Sequence, residues 1–214
     1  MNATQKKAWI FTANSPEEIF SSYASIKLPQ DLIVVADNGL ERIHSLGLKP
    51  DVIIGDMDSV LPDLRMLYPK SLMVAYPSAK NETDTELAIN WCLEQDVREI
   101  IICNDLEGRF DHALALVQNL AMLREKGVDC KVESRRQQMF FMERNSILEG
   151  YQGLLLSLFA WREEAVFSAS EGLRFPLGGV SLSPELTRGV SNVIDSDRAQ
   201  VMIASGQVLA VLTK

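Results

Sequence analysis

Apolar and polar positions change their rhythm part-way along this chain. Up to about residue 126, short runs rich in Val and Ile (AWIFT, LIVVAD, DVIIGD, SLMVAY, EIIICN) alternate with stretches whose apolar residues recur at helical spacing (PEEIFSSYAS, GLERIHSLG, LPDLRMLY, TDTELAINWCLEQ, DHALALVQNLAMLREKG). Continuous apolar strands interleaved with amphipathic helices are what a parallel sheet covered on both faces requires. The pattern predicts an N-terminal α/β domain with a mainly parallel sheet over residues 1–127. Beyond that the helical period fades. Strand-like runs punctuated by Gly and Ser follow: CKVES, QQMFFMER, GLLLSLFAW, EAVFSAS, GLRFPLGG, VSNVI, AQVMIA and QVLAVLT. Their spacing predicts a C-terminal, all-β domain of β-sandwich type over residues 128–214.

Composition narrows the possible partners. The chain has 214 residues, 47% hydrophobic and 23% charged, with a net charge of −8. Such a molecule repels DNA, polyphosphates and anionic membranes unless a cation or a local basic group reverses the field at a site. Neither a nucleic acid nor a membrane is therefore an expected partner, and an anionic substrate is expected to bind with a cation. Cys92, Cys103 and Cys130 form no CxxC pair and lie in apolar stretches, so they read as reduced structural thiols. The start, MNATQKKAWIF, lacks the apolar region of a signal peptide, and LLLSLFAW is too short to span a bilayer. A cytoplasmic location is expected.

In a parallel sheet ligands sit beyond the carboxyl ends of the strands, so polar residues just after each apolar run are the ones to inspect. Asp37, the pair Asp56 and Asp58, and Asn104 with Asp105 occupy such places. Two carboxylates one residue apart on an extended segment point to the same side, and their repulsion is relieved by a divalent cation or a proton. The structural alternative is that Asp58 and Ser59 cap a helix beginning near Val60. In KNETDTE, Thr83 and Glu86 form a capping box and Asp84 favours the helix dipole. Asp84 also has the chemistry for a third metal oxygen, and Lys80 for a phosphate contact. In EGRFDH, Gly108 permits close backbone approach, Arg109 offers a planar fork to phosphate oxygens, and Asp111 with His112 opens a long helix. An Arg–Asp cap and a structural histidine are the plain readings there, and the plain reading also holds for His44. No GxxxxGK[ST] or GxGxxG is present. GDMDSV also resembles the DxDx[TV] of haloacid-dehalogenase-type phosphatases, with Asp56 as nucleophile.

Taken in order, VVADNGLERIHSLGLKPDVIIGDMDS, the TD of KNETDTE, GRFDH, SEGLRFPLGG and GVSN resemble the thiamine pyrophosphokinase family over almost the whole chain. The resemblance implies an α/β nucleotide-binding domain followed by a β-sandwich, in a homodimer with active sites shared between subunits. It implies Mg2+-dependent transfer of pyrophosphate from ATP to the hydroxyl of thiamine, giving thiamine diphosphate and AMP. It assigns Asp56, Asp58 and Asp84 to the metal, and Asp37, Ser59, Lys80, Arg109 and His112 to nucleotide and phosphates. Phe175, Ser191 and Asn192 would form the thiamine pocket, the aromatic face suiting a cationic ring. Asp84 or Asp111 would accept the thiamine hydroxyl proton. A pyrophosphokinase for another alcohol, such as a hydroxymethylpterin, would carry similar motifs. Two positions depart from the pattern: Asn38 replaces the second glycine of DGG, where it is expected to tolerate a left-handed turn, and Glu107 replaces the glycine before GR.

Overall fold

The computed structural model describes residues 6–16, 30–56 and 62–214. Asp58 and Ser59 lie outside the described residues, as does nearly all of the helix expected over residues 16–25. The chain divides into two compact units, Met1–Arg135 and Arg136–Lys214.

The first unit holds β1 (Lys7–Phe11), β2 (Leu32–Ala36), α1 (Gly39–Ser45), β3 (Val52–Gly55), α2 (Pro62–Met66), β4 (Leu72–Ala75), α3 (Asp84–Glu94), β5 (Glu99–Cys103), α4 (Phe110–Glu125) and β6 (Asp129–Glu133). Its strands pair in parallel in the order β6-β5-β1-β2-β3-β4. All five Val/Ile runs of the N-terminal half are strands. CKVES becomes β6 and joins this sheet, so the division falls at 135/136 rather than at 127/128. The helix before β6 supplies the crossover that a parallel neighbour needs.

Both faces of the sheet are covered along β1, β2, β3 and β5, whereas the edge strand β4 is largely exposed. Trp9, Phe11, Ile33, Val35, Ile53 and Ile101 pack with Leu40 and Ile43 of α1 in one cluster. The alternate residues Ile10, Val34, Ile54, Ile100 and Ile102 are equally buried, which is why these strands read as unbroken apolar runs. α3 packs across β1, β2 and β3. Successive strands run from β1 outward through β2, β3 and β4 on one side, and through β5 and β6 on the other. The topological switch point therefore lies between β1 and β5. Register aligns Phe11 with both Val35 and Cys103, so the residues leaving these three strands emerge level with one another. Among the described residues no helix is long and apolar enough to cross a membrane.

The second unit holds β7 (Gln137–Phe141), β8 (Asn145–Glu149), β9 (Leu155–Glu171), β10 (Ser181–Leu182), β11 (Asn192–Val193) and β12 (Arg198–Thr213). The runs GLLLSLFAW and EAVFSAS are halves of one strand, β9, and AQVMIA and QVLAVLT are halves of another, β12. Each half pairs antiparallel with its counterpart, while β8 joins the first half of β12 and β7 the second. Buried residues change parity within each strand: Leu156, Leu158 and Ala160 give way to Ala165 and Phe167, and Ala199, Val201 and Ile203 to Val208, Ala210 and Leu212. A one-residue shift turns every later side chain to the other face, so a bulge at the change keeps both halves facing one core. The register slips where this demands, between Met202 and Gln207. Arg162 (φ 64°) and Gly206 (φ 78°) supply the left-handed corners. GLRFPLGG is not a strand: it makes one isolated bridge, Leu173 to Ile194, and its two closing glycines end it in a turn.

Candidate active site

Side chains stitch the switch point together. Thr12 Oγ1 donates to the Cys103 carbonyl oxygen (3.0 Å) and accepts from Asn104 Nδ2 (2.9 Å). Ser15 Oγ lies 2.8 Å from the carbonyl oxygens of both Thr12 and Cys103 and accepts the Thr12 N–H. Asn104 Oδ1 accepts the Leu106 N–H (2.8 Å) and so holds Leu106 at φ 59°. Every buried polar atom in this seam serves its geometry, which fixes the first residues beyond β1 and β5. Thr12 and Ser15 follow an apolar run just as Asp37 does, so the same rule that singled out Asp37 applied to them.

Asp37 leaves β2 with φ 49° and donates its N–H to Ile54 O (2.8 Å). The left-handed residue of the Asp37-Asn38-Gly39 turn is thus the aspartate, and Asn38, at φ −62° and ψ −3°, is right-handed, contrary to the expectation for Asn38. Glycine is needed at the next position because a Cβ on Gly39 would strike the Phe11 carbonyl oxygen. A Cβ on Gly55 would press on Asp37 Cα at 3.3 Å, a tight contact rather than a collision. Asp56 follows at the end of β3, half-buried.

At the start of α3, Thr83 caps the helix by accepting the Glu86 N–H (3.1 Å). Lys80 Nζ donates to Asp84 Oδ1 at 2.6 Å. Asp37, Asp84 and His112 line one pocket of about 240 Å³ above the switch point, together with Thr12, Asn104 and Asn119. Ala36, Ala115 and Leu116 form its apolar wall.

Arg109 and Asp111 do not line that pocket. They form a bidentate pair at the exposed start of α4, Nε to Oδ1 at 3.1 Å and Nη2 to Oδ2 at 2.5 Å. The hydrogen bond from Arg109 is the main reason the Asp111 carboxyl is held below the ordinary aspartate value, and it raises Arg109 in return. A second pocket of about 510 Å³ adjoins the first at Asn14 and is lined by Arg42, Asp105, Glu107 and Arg135. Arg135 Nη2 lies 2.7 Å from Asp105 Oδ2 and 3.0 Å from Glu107 Oε1. The extra negative charge of Glu107 is therefore matched within the chain.

Among the described residues no three ligating side chains stand together as a metal site. Asp56 and Asp84 are oxygen donors, the type a hard cation such as Mg2+ takes, and Asp58 falls outside the described residues. In the second unit Asn192 is 6% exposed, and its carboxamide is mostly spent. Its Oδ1 accepts the N–H groups of Phe175 (3.1 Å) and Val193 (2.8 Å), and its Nδ2 donates to Phe175 O (2.8 Å). Asn192 thus pins Phe175, which is 59% exposed, and has one amide hydrogen left without a partner among the described residues. Ser191 is exposed at φ 63°, with its N–H on Ser157 Oγ (3.1 Å).

Residues 23–132 match the family model for the thiamin pyrophosphokinase catalytic domain. The chain belongs to the thiamin pyrophosphokinase family. The match spans Asp37, Asp56, Asp84, Arg109, Asp111 and His112. Thiamine pyrophosphokinase of Bacillus subtilis (strain 168) is 24% identical over 207 residues, covering 93% of this chain and 95% of that protein. Thiamin pyrophosphokinase 1 of Caenorhabditis elegans is 30% identical over 77 residues, 33% of this chain and 30% of that protein. The crystal structure of the Bacillus subtilis enzyme superposes with a TM-score of 0.84 at 20% identity, covering 97% and 99% of the two chains. That of yeast thiamin pyrophosphokinase gives 0.82 at 15% identity, covering 100% of this chain and 88% of the other. Members of the thiamin pyrophosphokinase family are enzymes, and the α/β plus β-sandwich architecture is theirs.

Proposed function

We propose that this thiamin pyrophosphokinase family member transfers the pyrophosphoryl group of ATP to the hydroxyl of thiamine. The observation that carries the reading is the pocket at the switch point, where Asp37, Asp84 and His112 converge within the region matched to the catalytic domain. In the reaction the thiamine hydroxyl oxygen bonds to the β-phosphorus as the bond from that phosphorus to the oxygen of the α-phosphate breaks, and AMP leaves. Such transfer depends on positioning and on neutralising charge more than on covalent chemistry by the protein.

Asp56, Asp58 and Asp84 would hold Mg2+, whose contribution when bound is to neutralise phosphate charge. Lys80 adds a cation beside Asp84, and Arg109 a fork suited to phosphate oxygens. His112 contacts the phosphates from the start of α4, Asp37 does so from the end of β2, and Ser59 lies in the matched region. Of the two candidate proton acceptors, Asp84 lines the pocket, whereas both carboxylate oxygens of Asp111 are taken by Arg109. This favours Asp84 as acceptor of the hydroxyl proton and Asp111 as the residue that orients Arg109. In the β unit Phe175 offers its face to the cationic ring, with Ser191 and the remaining Asn192 hydrogen as polar contacts. The same reading makes the protein a cytoplasmic homodimer.

The test is acceptor competition. Purified protein with ATP and Mg2+ is offered thiamine or a hydroxymethylpterin, and organic product and inorganic phosphate are both measured. Product from thiamine alone supports the reading. Product from the pterin alone, or inorganic phosphate in place of AMP, would overturn it.

A further inference from the structure

Asn119 lies deep in α4, at the floor of the 240 Å³ pocket, and is only 8% exposed. It continues a stripe of His112, Ala115 and Leu116 at helical spacing, so the four residues share the face that looks into the pocket. Its carboxamide makes no hydrogen bond to any described residue. Side chains this buried are almost always paired, whereas the Asn119 amide has its polar atoms turned to the open pocket instead. Around it the polar groups are otherwise engaged with one another, Asn104 with Thr12 and Leu106, Thr12 with Cys103. Asn119 thus presents both a donor and an acceptor to the pocket with no partner among the described residues.

We infer that Asn119 is a substrate-specificity residue that reads an amino group next to a ring nitrogen, the edge shared by adenine and by the aminopyrimidine of thiamine. A carboxamide matches that edge with two bonds at once: Oδ1 accepts from the exocyclic amine while Nδ2 donates to the ring nitrogen, as Asn does with adenine in nucleic acids. The apolar wall of Ala36, Ala115 and Leu116 suits a flat ring. The inference rests on the proposed pairing of ATP with thiamine, and its test is read by binding rather than turnover.

The full-length protein and its Asn119→Leu and Asn119→Ser variants are titrated calorimetrically with four ligands. These are ATP with Mg2+, inosine triphosphate with Mg2+, thiamine, and the thiamine analogue bearing an oxo group in place of the 4′-amine. Reading the adenine edge predicts that Asn119→Leu weakens ATP about 10- to 100-fold and leaves inosine triphosphate unchanged. Reading the pyrimidine edge predicts the same loss for thiamine and none for its oxo analogue. In either case the melting temperature of the unliganded Asn119→Leu protein does not fall, because the residue bonds to no described partner. Unchanged affinities in both variants, or a uniform loss for amino and oxo ligands alike, would overturn the assignment. Wild-type protein that binds neither ATP nor thiamine would instead overturn the proposed function, and this inference with it.

Discussion

Lys80 Nζ and Asp84 Oδ1 stand 2.6 Å apart, one helical turn from each other across the N-cap of α3. Their side chains are 12% and 29% exposed, so the pair is mostly buried and the desolvation of its two ions offsets much of their attraction. Its importance is chemical. Asp84→Asn should lower kcat by about 100-fold or more with little change in the KM for thiamine, and the melting temperature should barely move. Steady-state kinetics beside a melting curve check this; a large loss of stability would make Asp84 a structural residue instead.

Asp111 has its folded pKa depressed chiefly by the hydrogen bond from Arg109. A group depressed on folding contributes stability above its unfolded value and loses it as pH falls through the folded one. Nothing from Asp111 should therefore appear in an activity profile between about pH 5 and 9. Carboxylate NMR should place Asp111 below the ordinary 3.8 in the wild type and return it toward that value in Arg109→Ala. An Asp111 that titrates alike in both proteins would contradict the pairing.

The corner of the β-sandwich gives a stability prediction. A Cβ on Gly206 would lie 2.6 Å from Ala165 Cα and clash with the Glu164 carbonyl, and the residue is left-handed at φ 78°. Gly206→Val should cost roughly 3 kcal/mol, more than most substitutions, read as a lower urea midpoint. A variant as stable as the wild type would show that the bend is made elsewhere.

The three thiols are buried, and burial is the leading cause that pushes Cys92 and Cys130 up to about 12 and Cys103 up as well. Thiolate being the reactive form, none should react with a thiol reagent at neutral pH in the native protein. All three should react on unfolding. Stoichiometric labelling of the folded chain would place a cysteine on the surface.

The α/β half was legible because its strands are buried on both faces, which leaves unbroken runs such as LIVVA and EIIIC, and because helical spacing survives between them. The pairs of short runs in the second half concealed long strands: the parity change from Ala160 to Ala165 looks like a break in sequence, and only pairing with β12 shows it to be a bulge. At the site, Asp37, Asp84 and His112 were legible as polar residues after strands or at helix starts. Thr12 is hard to single out in sequence because a threonine ending a strand has good β-propensity and no charge. The sequence marks Asn192 as a candidate ligand contact, while its bonds to Phe175 depend on a loop conformation that spacing does not encode. Asn119 carried no signal, since one polar residue within an apolar helix stripe marks a pocket only when the neighbouring elements are in place.

Pyrophosphoryl transfer to thiamine is tested most directly by phosphorus NMR of a single reaction mixture. With ATP, Mg2+ and thiamine, AMP and thiamine diphosphate should appear one for one, with no ADP or inorganic phosphate, and both should form about 100-fold more slowly or worse in Asp84→Asn. Accumulation of ADP with thiamine monophosphate, or of free phosphate with thiamine unchanged, would contradict it.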